Sequence, residues 1–378
     1  MRVQKPLDRQ RIYGETKRIV ATNRTDAVPL LFDIQPRKPT TREIAFAVKE
    51  SGLEGLPSAV RRADDARYQE VVCRSALNRV EGMPFRWTLN PYRGCTHGCH
   101  YCFARRYHSQ FELGSGDDFA SVIFVKTNFV DVLKVELDRP SWKRELVALG
   151  TATDPYQPIE GHYRLTRRSL EALCEARTPV GIVTKGPMAV RDRDLLQELT
   201  KRARCTIYFS VPTVDEDAWR ALEPGTSHPL QRLRAVRTLV EAGVRAGVLI
   251  APIVPGLTSQ PAKLERTIKA VADHGAAFMG SVVLHLKEGT RDHFFSYLSR
   301  EFPELLPRYE RLYSSGPYVP KTYASEVRAV VKLIQARYGL SVRESDDGEV
   351  GEINGETSPS QGEFEWPAAT RKSRTPAR

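Results

Sequence analysis

The sequence lacks any apolar run long enough to cross a membrane, and it has few cysteines. A membrane-spanning helix needs about 18 or more consecutive apolar residues, and charged residues, 27% of the 378, interrupt every run before that length. Six cysteines are too few to staple a chain of this size with disulfides. The stretch MRVQKPLDRQRIYGE has no apolar core of the kind a secretory signal requires. We therefore expect a cytoplasmic protein with no membrane segment, whose clustered cysteines bind metal or carry out redox chemistry.

Acidic residues are scarce relative to basic ones, which gives the chain a formal net charge of +11. The stretch from Glu344 to Arg378 holds eight acids and only four bases, so residues 1–343 carry about +15. A basic body can bind nucleic acid or another polyanion. The alternative is arginine scattered over solvated helix faces. Nucleic acid is thus a candidate partner.

Apolar strand-like runs alternate with amphipathic helical stretches from about residue 86 to residue 286. The runs are almost continuously apolar, as expected for parallel strands buried on both faces. This order predicts an α/β fold, either an open doubly wound sheet or a barrel. About six core strands are too few for a closed eight-stranded barrel, and they suit a partial (β/α)6 TIM-type barrel.

Composition divides the chain into four predicted parts. Residues 1–80 form an amino-terminal extension, partly irregular, with a short helix around Tyr68 to Asn78. Residues 81–290 form the core barrel, and residues 291–342 form helices that pack on its side. Residues 343–378 form a disordered acidic and basic tail.

Three of the six cysteines lie within the stretch NPYRGCTHGCHYC, at Cys95, Cys99 and Cys102, with the spacing C-x3-C-x2-C. Structural zinc wants four protein ligands, so His97 or His100 would have to complete such a site within one tightly folded loop. A [4Fe–4S] cluster fits the spacing better, because each of its irons takes one external ligand. Three cysteines leave one iron with an open position, as reactive metal sites require.

This motif, with Tyr101 as its aromatic residue, resembles that of the radical S-adenosylmethionine (radical SAM) superfamily. Over roughly residues 75–315 the chain is similar to the spore photoproduct lyase-like branch, which is also described as DNA repair photolyase-related. The similarity is carried by NPYRGCTHGCHYCFAR, GTATDPYQPIEGHYRLTR, TKG, LEPGTSHPLQRLRAV and APIVPGLT. The resemblance implies that SAM binds the open iron and is cleaved reductively to methionine and a 5′-deoxyadenosyl radical, which abstracts hydrogen from a substrate.

Ligands of parallel α/β folds gather at the carboxyl ends of the strands. The resemblance implies that the second strand end binds the SAM amino group, that a lysine after the third contacts its carboxylate, that a serine after the fourth contacts SAM, and that the fifth touches adenine. Ordinary turn chemistry and solvent-facing loop charge are the alternatives at these positions. The predicted cofactor-binding residues are Gly150, Thr151, Thr153, Asp154, Lys185, Ser210 and Ala251.

Other positions carry weaker signals. Glu223 is a candidate ribose contact, structural contact or helix cap, and either Arg232 or Arg234 could face the site, since residues two apart on a helix do not share a face. The three remaining cysteines have no common spacing and are expected to be small buried hydrophobes: Cys73, Cys174 and Cys205.

Spore photoproduct lyases carry a further cysteine near the second strand end, as hydrogen donor to the product radical, and here that stretch reads VALGTATD. This departure argues against thymine-dimer reversal itself. Tyr101 and Tyr156 are candidate replacement donors.

The leading hypothesis is a radical SAM enzyme with a [4Fe–4S] cluster and SAM as cofactors, a nucleic-acid base lesion as substrate, and an electron donor such as ferredoxin or flavodoxin. One alternative keeps the chemistry and changes the substrate to a peptide or small metabolite. Another is a non-catalytic zinc or iron–sulfur binding module.

Overall fold

Ten β-strands are present in the computed structural model, which describes residues 66–107, 116 and 118–340. Most of them are short and apolar, as the sequence pattern predicts. In chain order they are Arg67–Val71 (β1), Leu77–Arg79 (β2), Trp87–Leu89 (β3), Tyr92–Arg93 (β4), Val122–Lys126 (β5), Val147–Leu149 (β6), Val180–Thr184 (β7), Cys205–Ser210 (β8), Arg245–Ile253 (β9) and Met279–Val283 (β10).

Helices connect the strands and follow the last of them. Short 3₁₀ helices lie at Phe103–Tyr107, Pro187–Asp192 and Pro303–Leu305. The α-helices are Asp118–Ser121 (α1), Phe129–Leu137 (α2), Glu160–Tyr163 (α3), Leu165–Glu175 (α4), Arg193–Arg202 (α5), Glu216–Leu222 (α6), Pro229–Glu241 (α7), Pro261–Asp273 (α8), Thr290–Glu301 (α9), Leu306–Leu312 (α10) and Lys321–Arg337 (α11). Of the helices in the described part of the chain, none is long and apolar enough to span a bilayer.

The main sheet has seven strands in the order β10-β9-β8-β7-β6-β3-β2. Six of these are parallel and follow one another in chain order, and β2 joins the edge antiparallel to β3. A doubly wound sheet would reverse its strand order at a central switch point, whereas this order runs in one direction. The prediction of a partial six-stranded barrel is therefore confirmed. Within the described residues, β10 and β2 do not pair to close it.

A second, three-stranded sheet has the order β1-β5-β4. The apolar stretch SVIFVKTN reads as a strand in the sequence and forms β5, but it pairs with β1 and β4 instead of the barrel strands. Because β4 leads directly into the cysteine stretch, this small sheet lies beside that stretch. The chain passes from β3 to β4 within two residues, so it changes sheets just before the first cysteine.

The short helix predicted around Tyr68 to Asn78 is wrong, since β1 and β2 occupy this stretch. β1 takes its backbone partners from β5, about 55 residues away. Between the two strands, Oε2 of the buried Glu136 accepts the backbone N–H groups of Ala76 at 3.1 Å and Leu77 at 2.8 Å. Both β5 and Glu136 lie far away in the sequence. Local propensity alone therefore favoured a helix where the distant partners make strands.

The carboxy-terminal helices pack onto the barrel. α11 lies against α8 and β10, and its residues Val327, Val331 and Ile334 join the main hydrophobic core. The sequence from about Tyr101 to Phe111 favours a helix, and within it the structure has the 3₁₀ helix at Phe103–Tyr107, while residues 108–115 lie outside the described residues. The predicted tail at 343–378 also lies outside them, and the four-part division of the chain stays a prediction.

Candidate active site

The cysteine loop, residues 94–102, is held in place chiefly through its own backbone. The Cys95 N–H donates to the Phe119 carbonyl at 3.0 Å. The buried guanidinium of Arg105 donates to the carbonyls of Cys99 at 2.9 Å and Gly98 at 2.7 Å. These bonds use carbonyls and N–H groups and involve none of the thiols.

A second loop, residues 222–226, clamps the cysteine loop from the other side. The Gly225 N–H donates to the His97 carbonyl at 3.0 Å, and the His100 N–H donates to the Leu222 carbonyl at 3.1 Å. A Cβ on Gly225 would overlap the Thr96 carbonyl oxygen and stand 2.9 Å from that of His97. Only glycine allows the two backbones to approach this closely.

The three thiols of the loop are enclosed and share one electrostatic environment. Burial raises the pKa of Cys95, Cys99 and Cys102, that of Cys99 to about 12. After burial and Asp154, the charges of Cys99 and Cys102 further raise the pKa of Cys95. Thiolates at these positions therefore need a cation among them, which is what a metal–sulfur cluster supplies.

The described residues contain no three His, Cys, Asp or Glu side chains that converge closely enough to hold a single metal ion. A zinc ion would need four ligands at one point, whereas each iron of a cubane cluster takes one external ligand, usually a cysteine thiolate. The donor set of the loop, three thiols, is compatible with a cluster.

Asp154 is a fully engaged buried carboxylate that joins the ends of two strands. Its Oδ1 accepts hydrogen bonds from the Thr184 hydroxyl at 2.7 Å and the Tyr156 N–H at 2.9 Å. Its Oδ2 accepts the Lys185 N–H at 2.6 Å, and His97 Nδ1 lies 3.3 Å away without hydrogen-bond alignment. Burial acts to raise the pKa of Asp154, but His97 and these donors outweigh it and lower the pKa to about 2. These bonds favour the alternative of ordinary turn chemistry at this strand end over an ammonium contact.

The remaining residues of the second strand end pack against the cysteine loop. The Thr153 hydroxyl donates to the Gly94 carbonyl at 2.6 Å, and Asn90 Nδ2 donates to Thr151 Oγ1 at 3.3 Å. Gly150 has φ +87°, and a Cβ there would stand 2.5 Å from the Val183 carbonyl oxygen. Glycine is therefore needed where β6 turns over the end of β7.

Lys185, Ser210 and Ala251 form one hydrogen-bonded chain across three strand ends. The Lys185 ammonium donates to Ser210 Oγ at 2.6 Å, and that hydroxyl donates to the Ala251 carbonyl at 2.9 Å. Lys185 also lowers the pKa of Cys99 against the effect of burial. The structure thus brings together the residues predicted on the third, fourth and fifth strands and places them near the cysteine loop. Their role as cofactor contacts stays a prediction.

Glu223 is buried within reach of three partners. Arg232, which has no exposed side-chain surface, donates to Glu223 Oε2 at 2.6 Å and to the Ser210 carbonyl at 2.9 Å. The Tyr101 hydroxyl donates to Glu223 Oε1, and Lys185 Nζ lies 3.6 Å from the same oxygen. Burial acts to raise the pKa of Glu223, but Arg232 and Lys185 outweigh it and lower the pKa. Of the alternatives for Glu223, this geometry supports the structural one.

The sequence left open which of two arginines on α7 faces the site, although a signal for the choice was present. The buried apolar positions of this helix include Leu233, Val236 and Leu239, at helical spacing. Arg232 falls on this stripe, one turn before Val236, whereas Arg234 does not. An arginine on a buried stripe requires an acidic partner, which here is Glu223.

The two tyrosines considered as hydrogen donors differ in position. The Tyr101 hydroxyl lies between the cysteine loop and Glu223. After burial, the groups that most raise the pKa of Tyr156 are Asp192, Glu160 and Cys205. The Tyr156 backbone packs against Gly186, just after β7. Both tyrosines stay candidate donors.

Comparison with known proteins places the chain among related sequences. Residues 89–269 match the family model described as Radical SAM superfamily. An uncharacterized protein of Mycobacterium tuberculosis (strain ATCC 25618 / H37Rv) is 41% identical over 292 residues, which cover 76% of this chain and 86% of the relative. A Radical SAM Nalpha-GlyT isomerase of Pseudomonas phage M6 is 25% identical over 170 residues, covering 45% of this chain and 33% of the isomerase.

Solved structures of spore photoproduct lyase are similar in fold. A variant with bound AdoMet and dinucleoside spore photoproduct matches with a TM-score of 0.58 and 14% identity, covering 76% of this chain and 84% of that one. A complex with dinucleoside spore photoproduct also gives 0.58, at 16% identity, covering 77% and 86%. At these identities the likeness concerns the fold alone.

Proposed function

This chain belongs to the radical SAM superfamily of enzymes, and we propose that it cleaves SAM reductively at a cluster held by Cys95, Cys99 and Cys102, acting on a base of a nucleic acid. Members of this superfamily use a [4Fe–4S] cluster and SAM. The observation that carries the proposal is that the loop with three cysteines lies beside the Lys185–Ser210–Ala251 chain, near enough for Lys185 to lower the pKa of Cys99.

When bound, the cluster and SAM supply one-electron cleavage of a carbon–sulfur bond and a 5′-deoxyadenosyl radical for hydrogen abstraction. The thiols of Cys95, Cys99 and Cys102 would hold the cluster. Lys185 supplies the positive charge for the SAM carboxylate, and Ser210 keeps its ammonium in place through the 2.6 Å hydrogen bond. Ala251 would contact the adenine through its backbone. Cys95, Cys99 and Ser210 are buried and Lys185 and Ala251 are half-buried, which limits the access of water to a reactive intermediate.

Asp154 and Glu223 act as supports in this proposal. Asp154 fixes the turn after β7 by accepting the Lys185 N–H, so it sets where the lysine side chain begins. Glu223 pairs with both Lys185 and Arg232. The three side chains together carry one net positive charge. A single net cation suits one carboxylate ligand.

The charge of the chain and the likeness in fold favour a nucleic-acid base as the substrate class. Residues 1–343 are strongly basic, and a similar fold binds a dinucleoside lesion in spore photoproduct lyase. The stretch VALGTATD at β6 lacks the extra cysteine of that enzyme, so we propose a base reaction other than thymine-dimer reversal. The reducing electron would come from a donor such as ferredoxin or flavodoxin.

Anaerobic reconstitution tests the cofactor chemistry. The wild-type protein should bind about four irons per chain and release 5′-deoxyadenosine from SAM when reduced with dithionite. Cys99→Ala should lose both properties, whereas Cys174→Ala, at a buried cysteine on α4 away from the loop, should keep both. Full iron loading of the wild type with no 5′-deoxyadenosine would overturn the proposal.

A deuterium experiment tests the substrate class. Deuterated oligonucleotides, deuterated peptides and small metabolites are offered in parallel to the loaded enzyme. Deuterium in 5′-deoxyadenosine from the oligonucleotide alone is the expected result, because the radical carries away the hydrogen atom that it abstracts. Transfer from a peptide or metabolite alone would reject the nucleic-acid base.

A further inference from the structure

Two exposed aromatic side chains meet at one histidine beside the cysteine loop. Of the large apolar side chains that are exposed in the described part of the chain, only two are aromatic: Phe103, at 38% exposure, and Tyr318, at 52%. The His285 ring centroid lies 6.4 Å from that of Phe103 and 5.7 Å from that of Tyr318. We call these three side chains the aromatic site. Single exposed apolar residues are ordinary on a protein surface, whereas exposed ones that meet can mark a binding site.

Three separate segments bring the aromatic site to the edge of the candidate active site. Phe103 follows Cys102 directly, His285 follows the end of β10 by two residues, and Tyr318 lies shortly before α11. β10 is the last of the six parallel strands of the barrel. Ligands of such folds bind at the carboxyl ends of the strands, so the aromatic site lies at the same edge as the predicted SAM contacts.

Hydrogen bonds hold these segments to one another. The Leu286 N–H donates to the Pro317 carbonyl at 2.7 Å, which joins the turn after β10 to the segment before α11. The Thr290 hydroxyl donates to the Cys102 carbonyl at 3.2 Å, which joins the same turn to the cysteine loop. The rings are therefore carried by segments that are fixed before a ligand arrives, and this lowers the ordering cost of binding.

The rings of the aromatic site are tilted toward one another instead of stacked. The plane of His285 makes an angle of 35° with that of Phe103 and of 31° with that of Tyr318. In a stacked pair each ring covers a face of the other, as His100 and Tyr297 do with centroids 4.0 Å apart and 11° between their planes. The tilt and the exposure together leave ring surface for a planar ligand.

His285 adds hydrogen-bonding groups to this apolar surface. Burial, and after it the charge of Lys287, lowers the pKa of His285, so its ring is neutral at pH 7. A neutral imidazole carries one donor and one acceptor, and neither has a hydrogen-bond partner among the residues that the structure describes. A nucleobase has the matching features, a planar face and a row of donors and acceptors along its edge.

We propose that the aromatic site binds an unpaired nucleic-acid base, stacked against Phe103 and Tyr318 with its edge toward His285. This inference rests on the proposed function and names the residues that would hold a base of its substrate. Aromatic rings bind bases of single strands in this way, because every base has a face that can stack. A base inside a duplex is covered by its neighbours, so the site requires a single strand or a base turned out of the helix.

The test compares two single-stranded oligonucleotides of equal length, one of thymidines and one without bases, for binding to the cluster-loaded full chain. Both strands carry the same phosphates, so the ratio of their Kd values isolates the contribution of the bases. In the wild type the abasic strand should bind more weakly. Tyr318→Ala should raise the Kd of the thymidine strand about 5- to 140-fold, the range for one lost base–aromatic stack, and leave that of the abasic strand unchanged.

Phe103→Leu, which removes the other exposed ring, should also reduce the preference for the thymidine strand. The matched control is Tyr318→Phe, which keeps the ring and should keep the wild-type Kd for both strands. Leu333→Ala, which removes an exposed apolar side chain from α11, should do the same.

Equal Kd values for the two strands in the wild type, or a preference that survives in both Tyr318→Ala and Phe103→Leu, would overturn the inference. An equal loss for both strands in Tyr318→Ala would do so as well, since the ring would then not act on a base. Binding of a tryptophan-containing peptide and of neither oligonucleotide would assign the site to a protein partner instead. The proposed function fails separately, because strand binding needs no SAM and SAM cleavage can be measured without nucleic acid.

Discussion

The guanidinium of Arg232 is fully buried. It donates to the Glu223 carboxylate, to the Thr226 hydroxyl and to the carbonyls of Ser210 and Ser227. Removing an arginine and a glutamate from water is costly, and their mutual attraction offsets that cost only with good geometry. The pair therefore contributes chiefly by fixing the loop that carries Glu223 against the end of β8.

Loss of one partner of this pair should be strongly destabilising. Arg232→Met leaves the Glu223 charge buried without its main cation, and we expect the free energy of unfolding to fall by about 3–5 kcal/mol. Urea unfolding of the cluster-free protein measures the effect. Arg232→Met/Glu223→Gln should recover part of the loss because neither charge remains. A single variant as stable as wild type would show that the ion pair does not hold this loop.

The cysteine loop is in contact with a second loop that follows a different element of the fold. Residues 94–102 follow β4, and residues 222–226 follow α6, yet backbone hydrogen bonds join them at His97 and His100. Because the contact is between main chains, side-chain chemistry contributes little and the size of Gly225 decides it. The shape of the cysteine loop thus depends on a loop more than 100 residues away.

Gly225→Ala should displace the cysteine loop and lower cluster loading. The added Cβ overlaps the Thr96 carbonyl, so the loop must move and the thiols with it. Iron and sulfide content after reconstitution should fall severalfold. The control is Gly161→Ala on α3, where a Cβ meets Met188 Cε at an ordinary 3.6 Å and loading should stay normal. Full loading of Gly225→Ala would contradict the clamp.

The candidate site is formed by the ends of most of the barrel strands together with two loops. The cysteine loop, the ends of β6, β7, β8 and β9, and the loop after α6 all contribute side chains or backbone. A ligand that bridges these parts binds the folded state only. Its binding free energy therefore adds to the stability of the fold.

SAM should accordingly stabilise the loaded protein and not the cluster-free one. At a SAM concentration 100 times its Kd, the free energy of unfolding should rise by about 2.7 kcal/mol. Thermal unfolding under anaerobic conditions measures this for wild type and for Cys99→Ala, in which the open iron is lost. Equal stabilisation of both proteins would mean that SAM does not use the cluster as a ligand.

Much of the fold and the candidate site was readable from the sequence because it depends on local patterns. Parallel strands buried on both faces read as apolar runs, and their carboxyl ends share one edge, so Lys185 and Ser210 could be nominated together. The cysteine triplet needs only one loop, and its spacing alone indicated a cluster. The family resemblance was confirmed by the match over residues 89–269.

Tertiary structure decided the features that depend on distant partners. β1 is a strand because β5 supplies its hydrogen bonds, and β5 leaves the barrel because β1 and β4 flank it. The oxygens of Asp154 are committed to donors on β7 and its following turn, which no local signal showed. The sequence by itself determined which chemistry the residues support. Only the fold decided which of them meet, because hydrogen bonds and charge pairs between remote segments form only when the chain brings those segments together.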